Sequence, residues 1–519
     1  MTTPASDIGL GSWPARRARM EPAATALVQG ARRLTYQELS QRCARLARAL
    51  WQRGVDAGDR VAYLGPNDVA VFEALFATAQ LGAVFAPLNT RLAPAEIAFM
   101  IDDCTPAVLV VGAGLEQAAA AALAAAGHVP RVLYLDAAHG PGYEEAVATC
   151  GEELPVAVSV TLDDPALILY TSGTTGRPKG AVLTHGNLTF NTVNQLAHFP
   201  LGRDDVALCS APLFHVLGLG QITLPALFNG APVLIIPKFD PGLFLSAIAD
   251  ARATVFSLAP TMLQMLCEHP GFDGADLSSV RYVVYGGSPV PERVAGRWLS
   301  RGVTMLQGYG MTEAAPGVLM ATSHGALARP LSAGVPHFFT DTALRHPGGT
   351  VTTGPGQGEL LIRGPSVFSR YWNRPEETAA AFDRGWFATG DIVRIDADGW
   401  AYIVDRANDM IISGGENIYP AEVEAAITEL PQVAEAAVVG VADQRWGEAG
   451  LAFVVASAGE AVTEADIRAH LDGRLARYKI PREFRFTSRL PRNAGGKLLR
   501  NQLRAQASAP VHPQESILL

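Results

Sequence analysis

At 519 residues the chain is too long for one ordinary core, and a prior of roughly 150 residues per domain excludes a small binding module. Hydrophobic residues make up 49% and charged residues 18%, with 51 glycines and 35 prolines, which excludes a disordered or fibrous chain. A formal net charge of -9 argues against a nucleic-acid or anionic-membrane partner, since both need clustered cations.

Five scattered cysteines, Cys43, Cys104, Cys150, Cys209 and Cys267, form no CxxC pair, so neither a zinc site nor a disulfide framework is expected. The first residues lack a basic stretch followed by an apolar one. No apolar run approaches the ~20 residues that span a bilayer. The expectation is a reduced, soluble, cytoplasmic protein.

Along the chain, Thr35 to Arg53 carries apolar residues at helical spacing, while Arg60 to Leu64, Ala107 to Val111 and Val233 to Ile236 are short apolar strand candidates. Strands alternating with helices point to an α/β fold. The sequence Gly112-Ala-Gly114-Leu-Glu-Gln117 imitates a dinucleotide fingerprint, but Gln117 replaces its third glycine and no acidic residue follows at the right distance, so it reads as a simple βα turn. The alanine-rich stretch Gln117 to Ala126 then reads as a surface helix.

The densest chemical signal follows the strand-like run Pro165 to Tyr170. It is Leu169-Tyr170-Thr171-Ser172-Gly173-Thr174-Thr175-Gly176-Arg177-Pro178-Lys179-Gly180. Hydroxyls and unhindered glycine amides in one turn offer donors to phosphate oxygens, and Lys179 adds a counter-charge. Pro178 stands where a Walker A loop needs glycine, and no Ser or Thr follows the lysine.

Further on, Gly358 to Arg363 and Trp400 to Val404 read as β-ribbon. The texture changes near Asp405 to Gly415, after which a helix, strand, strand, helix, strand pattern suffices for a domain of roughly 100 residues. Pro420 suits a first helical turn, and Thr463-Glu-Ala-Asp466 is a capping box. The tail 508–519 shows no periodicity. The expected division is 1–407, 408–507 and the tail.

With these motifs in hand, the chain resembles the adenylate-forming superfamily of acyl-CoA synthetases, luciferases and peptide-synthetase adenylation domains, from about Pro22 to Arg504. Besides the cradle, the matching runs are Pro212-Leu-Phe-His215, Tyr285-Gly-Gly-Ser-Pro289, Gln307-Gly-Tyr-Gly-Met-Thr-Glu313, Trp386-Phe-Ala-Thr-Gly-Asp391, Asp405-Arg406 through Pro420, and Pro491-Arg-Asn-Ala-Gly-Gly-Lys497. The resemblance implies a large N-terminal domain of layered α/β sheets with a β-barrel-like subdomain, and a small mobile α+β C-terminal domain.

It also implies an ATP-dependent carboxylic acid:CoA ligase that forms an acyl-adenylate and releases AMP and pyrophosphate, with ATP, Mg²⁺ and coenzyme A. Thr171, Ser172, Gly173, Thr174 and Thr175 with Lys179 would hold the β and γ phosphates. Glu313, with Thr171, would carry the metal, and Thr312 would contact the α-phosphate. Adenine would lie against Tyr309, beside Gln307, Gly308, Gly287, Ser288 and Pro289. Asp391 would anchor the ribose, supported by Arg406. Lys497 would bridge the attacking carboxylate and the α-phosphate.

His215 would gate the acyl pocket, and Gly414 and Gly415 would meet the pantetheine as the C-terminal domain reorients. Trp446, Tyr478 and Arg482 would face the CoA nucleotide. The hinge position, usually Asp or Lys, is Asn408, which tolerates left-handed backbone.

Where peptide-synthetase domains place an Asp for the substrate amine, this chain has His215, which disfavours an amino acid. The implied wall of Val216, Leu217, Leu219, Gly220, Gly308, Gly310, Met311, Ala314 and Ala315 is apolar and small, with room for an alkyl chain or an aryl ring. Leu217 offers no hydrogen bond to a phenolic hydroxyl. The pattern is closest to medium- or long-chain fatty acyl-CoA synthetases, although the Tyr-Gly-Met-Thr-Glu-Ala run also occurs in aryl-acid ligases. Open alternatives at the second step are a carrier-protein thiol, an amine, or nitrite activation in diazotising relatives; a homo-oligomer is also open.

Overall fold

The computed structural model describes the chain except residues 1–6, 154–157, 173–177, 288, 289, 291, 327, 330, 331, 347, 407–410, 492–497, 499 and 509–519. It divides into two compact units, the larger drawn from residues 1–407 and the smaller holding 408–519.

Three sheets build the larger unit among the described residues. The first has nine strands, with Val335–Pro336, Gly317–Met320, Thr304–Gly310 and Tyr282–Gly286 in sequence from one edge. The second has seven strands and begins Arg370–Tyr371, Pro178–Thr184, Pro165–Ser172. The third is a six-stranded antiparallel sheet in which Trp386–Ile395 lies between Gly356–Arg363 and Phe382–Asp383 and also pairs with Ala401–Arg406.

Strands in the middle of the first two sheets are parallel and covered on both faces. Val108–Val111, for example, is Val-Leu-Val-Val and buried throughout, the pattern of a strand sandwiched by helices. Helix Tyr36–Gln52 opens with Thr35 and Glu38 exchanging cap hydrogen bonds, so a capping box that the periodicity alone does not reveal sets its start. The fingerprint imitation is a turn between Val108–Val111 and helix Glu116–Ala125, with Gly114 at φ +83°.

In the smaller unit, helix Pro420–Thr428, strands Val433–Asp443 and Gly447–Ala456, helix Glu464–Leu471 and strand Glu483–Phe486 follow the expected order. Thr463 and Asp466 form their capping box. A last helix, Arg500–Ser508, extends beyond the expected pattern; its Leu503 is buried against Val439 and Leu451. No helix among the described residues is long and apolar enough to cross a membrane.

Candidate active site

Lys179 stands near the start of strand Pro178–Thr184, and Thr171 near the end of the adjacent strand Pro165–Ser172. The Thr171 hydroxyl donates to the Lys179 carbonyl at 3.3 Å, which ties the two ends of the cradle together. Gly173, Thr174 and Thr175 lie outside the described residues, and of Ser172 only the backbone is described.

Strand Thr304–Gly310 carries Gln307, Gly308 and Tyr309 side by side. It runs parallel to Tyr282–Gly286, with Gln307 opposite Tyr285 and Gly308 opposite Gly286. A Cβ on Gly286 would fall 2.8 Å from the Gly308 carbonyl, so this close approach requires glycine. Gly287, at φ +89°, then turns the chain away. Burial pushes the Tyr285 phenol up to about 12, and its protonated hydroxyl donates to Gln307 Oε1 at 3.4 Å. Ser288 and Pro289 lie outside the described residues.

Directly after that strand, Thr312 and Glu313 occupy the short 3₁₀ turn Thr312–Ala314, which Ala315 ends at φ +64°. The Tyr371 hydroxyl donates to Glu313 Oε1 at 2.8 Å, and the Glu313 carbonyl accepts from Phe368 N–H at 2.7 Å. Burial raises the Glu313 pKa above the ordinary carboxylate value, and Asp391 nearby adds to it; the Tyr371 hydrogen bond and Lys179 oppose this. Lys179 Nζ lies 5.6 Å from the centre of the same Tyr371 ring, within cation–π range. Tyr371 therefore touches both the predicted phosphate-binding cation and the predicted metal-binding carboxylate.

Asp391 sits on Trp386–Ile395, and its Oδ2 accepts the Tyr309 hydroxyl at 2.6 Å. Strand register places Asp391 opposite Arg406, whose side chain is outside the described atoms. Two tyrosine hydroxyls thus join the ends of three sheets. Tyr309 links the first to the third, and Tyr371 links the second to the turn that follows the first.

His215 is the N-cap of helix Val216–Gly220, with its ring 4.8 Å from that of Phe214. A Cβ on Gly218 would fall 2.3 Å from the Pro212 carbonyl, so glycine there lets the Pro212-to-His215 turn pack on its own helix. Gly220 is equally constrained, 2.6 Å from the Ala315 carbonyl and 2.7 Å from Pro316 Cδ by the same measure. That contact joins the helix after His215 to the turn after Glu313.

In the smaller unit, Gly414 at φ +60° and Gly415 at φ +82° form a turn whose first residue abuts the Trp446 ring, with 2.6 Å from a Cβ position to the ring. Arg445 and Arg482 lie 4.8 and 5.6 Å from the centre of that ring. Tyr478 precedes Lys479, which is buried and paired with Glu422 at 2.7 Å. Asn408 and Lys497 lie outside the described residues. Of the expected site, Thr171, Lys179, Gln307, Gly308, Tyr309, Thr312, Glu313 and Asp391 come together; Gly414 and Gly415 belong to the other unit. Tyr285 enters the sequence reading only within a matching run, and Tyr371 escapes it because the groups it meets, Glu313 and Lys179, are far away in the chain.

The fold and this site are those of an enzyme that activates its substrate with a nucleotide. The chain belongs to the AMP-binding enzyme family, which matches residues 14–372, while the C-terminal domain of that family matches residues 422–497. Among its relatives, feruloyl-CoA synthase of Amycolatopsis sp is 49% identical over 496 residues, covering 96% of this chain and 98% of the relative. Indoleacetate–CoA ligase of Aromatoleum aromaticum is 41% identical over 498 residues, 95% of this chain and 97% of the relative. Among solved structures, o-succinylbenzoate CoA synthetase of Bacillus subtilis bound to a product analogue superposes with a TM-score of 0.85 at 32% identity, covering 95% of this chain and 98% of that one.

Proposed function

We propose that the protein joins an aryl acid, of the arylpropenoic type, to coenzyme A. It is an ATP-dependent acid:CoA ligase of the AMP-forming class, working through an acyl-adenylate. The observation that carries the assignment of residues is the meeting of three sheets through Tyr309–Asp391 and Tyr371–Glu313, which gathers a phosphate cation, a carboxylate and a ribose anchor at one place.

A free carboxylate is a poor acyl donor because oxide would have to leave. In the first half-reaction a carboxylate oxygen attacks the α-phosphorus of ATP, and the bond to pyrophosphate breaks. In the second, the CoA thiol attacks the acyl carbon and AMP departs. For the first step, Lys179 and the cradle 171–175 hold the outer phosphates and Thr312 meets the α-phosphate. Tyr309, with Gln307, Gly308 and the 287–289 turn, takes the adenine. Asp391, held by the Tyr309 hydroxyl, accepts from the ribose, and Arg406 stands opposite it in the strand register. Lys497 neutralises charge that builds at the attacked phosphate.

Glu313, assisted by Thr171, fits a magnesium ion, since a carboxylate whose ionised form is penalised by burial gains from a hard cation. When bound, the ion supplies positive charge to the phosphate oxygens. The C-terminal unit, 408–507, brings Lys497 to the first step and, after reorienting at Asn408, brings Gly414 and Gly415 to the thiol. His215 opens and closes the acid's path. The need for ATP and CoA, together with five free cysteines, supports a cytoplasmic setting.

The aryl assignment draws support from the 49% relative and from a short, small-residue wall in which Leu219, Ala314 and Ala315 are buried. Thioester formation from ferulate, cinnamate, benzoate, octanoate and palmitate, each with and without CoA, tests it. The highest kcat/KM is expected with an arylpropenoic acid, and acyl-AMP should accumulate when CoA is left out. A higher value with palmitate would sink the aryl reading.

A further inference from the structure

Helix His185–His198 buries a polar face. Asn191, Asn194 and Gln195 are each no more than 1% exposed, and with His198 they recur at helical spacing on one side. Asn191 Nδ2 donates to the Gly220 carbonyl at 2.8 Å, and Asn191 Oδ1 accepts from Gly317 N–H at 3.1 Å. The same Asn191 therefore grips the last residue of the helix after His215 and the strand that pairs with the adenine strand, where Gly310 stands opposite Gly317. Gln195 Nε2 donates to Asn191 Oδ1 at 3.3 Å, and Gln221 Nε2 donates to Gln195 Oε1 at 2.9 Å. The amides thus touch Gly220 and Gly317, which in turn meet Ala315 and Gly310 of the apolar wall.

His337 closes this cluster. It is 2% exposed, its ring packs edge-on against that of His198 at 4.9 Å, and a Cβ on Gly317 would lie 2.8 Å from its Nε2 and 2.7 Å from Gln195 Nε2. Neither ring nitrogen of His337 makes a well-formed hydrogen bond among the described residues, although the Asn194 backbone lies beside the ring, and His198 Nε2 and Asn194 Nδ2 are likewise buried and unmatched there. Native structures leave few such groups unsatisfied. Burial, chiefly, and the neighbouring His198 hold His337 neutral, down at about 3. A neutral imidazole offers one donor and one acceptor, which together suit a hydroxyl.

We infer that Gln195 and His337 form the far end of the acid site and recognise a hydrogen-bonding substituent on the ring opposite the carboxylate, such as a phenolic hydroxyl. The inference rests on the aryl reading above and deepens it. It also assigns hydroxyl recognition to this helix and loop rather than to Leu217, which can make no such bond. Because the imidazole is buried, an acid without the substituent leaves it unmatched, and discrimination follows from the unpaired group.

The experiment compares kcat/KM for 4-hydroxycinnamate with that for cinnamate in one preparation at a time, so the ratio is independent of the fraction folded. Wild type should favour the hydroxylated acid by about tenfold or more, as expected for a buried site built to pair a hydroxyl. His337→Phe and, separately, Gln195→Met should bring the ratio toward one, mainly through KM for 4-hydroxycinnamate. A wild-type ratio near one, or a ratio unchanged in both variants, would overturn the inference and leave the aryl reading standing. Turnover of fatty acids with neither cinnamate accepted would remove both.

Discussion

The nucleotide end and the acid end of this site share the strand Thr304–Gly310 but are finished differently. At the nucleotide end the charged groups are already engaged by the protein: Asp391 with Tyr309, Glu313 with Tyr371, and Lys179 over the Tyr371 ring. At the acid end, amides are chained together and then stop at an imidazole with no well-formed hydrogen bond among the described residues. A preorganised end suits a ligand common to every turnover, since the donors need no rearrangement when charge develops. An end with unmatched polar atoms suits selection among similar acids.

The largest effect should come from the nucleotide side. Lys497→Ala is expected to lower adenylation about a thousandfold, in the range for loss of a transition-state charge partner, while thioester formation from supplied acyl-adenylate persists. Pyrophosphate exchange and thioester assays measured in parallel separate the two, and equal loss of both would refute the role. Glu313→Gln should cost about a hundredfold in kcat with a raised magnesium requirement, read from a magnesium titration; an unaltered titration curve would move the metal elsewhere.

Asp391→Ala should raise KM for ATP by about tenfold or more, as for loss of charged hydrogen bonds, with the preference among acids unaltered. A changed acid preference would erase the contrast between the two ends. Tyr371→Phe is a finer probe. Its hydroxyl opposes the rise that burial imposes on Glu313, so removing it raises that pKa further, and the carboxylate is lost at a higher pH as the solution is acidified. The acid limb of the kcat/KM profile for ATP should move to higher pH, with a loss of only a few-fold near neutrality. A shift to lower pH would contradict the assignment.

The smallest expected effect lies at the acid end. Because His337 is held neutral down to about 3, the ratio of 4-hydroxycinnamate to cinnamate should stay flat between about pH 5.5 and 7.5. A steep change in that window would mean that His337 titrates within it and is not held neutral.

The two ends also differ in how far they can be read from the chain. Lys179 follows a run whose glycines and hydroxyls offer donors to phosphate, whereas Glu313 and Asp391 take their proposed roles only from the resemblance carried by the order of the motifs. The helix start at Thr463 is equally local and equally legible in its capping box. Tyr371 is not, because its meaning lies in a hydrogen bond spanning 58 residues. Asn191, Asn194, Gln195 and His198 mislead more actively: polar residues at helical spacing normally mark the solvated face, and here that face is buried. The wall residues after His215 are apolar, so the sequence alone leaves both an alkyl chain and an aryl ring open as substrate.

Gly310 and Gly317 face each other on the ladder that joins Tyr309 to the acid end. A side chain at either would strike backbone or polar atoms, at 1.8 Å from the Pro316 carbonyl in one case and 2.7 Å from Gln195 in the other. The ladder therefore behaves as a shared beam. Altering acid preference from its strand side would disturb ATP affinity as well, whereas changes on the helix side, at Gln195 or Gln221, leave the beam in place. For anyone redesigning this enzyme toward new acids, that asymmetry says from which direction to begin.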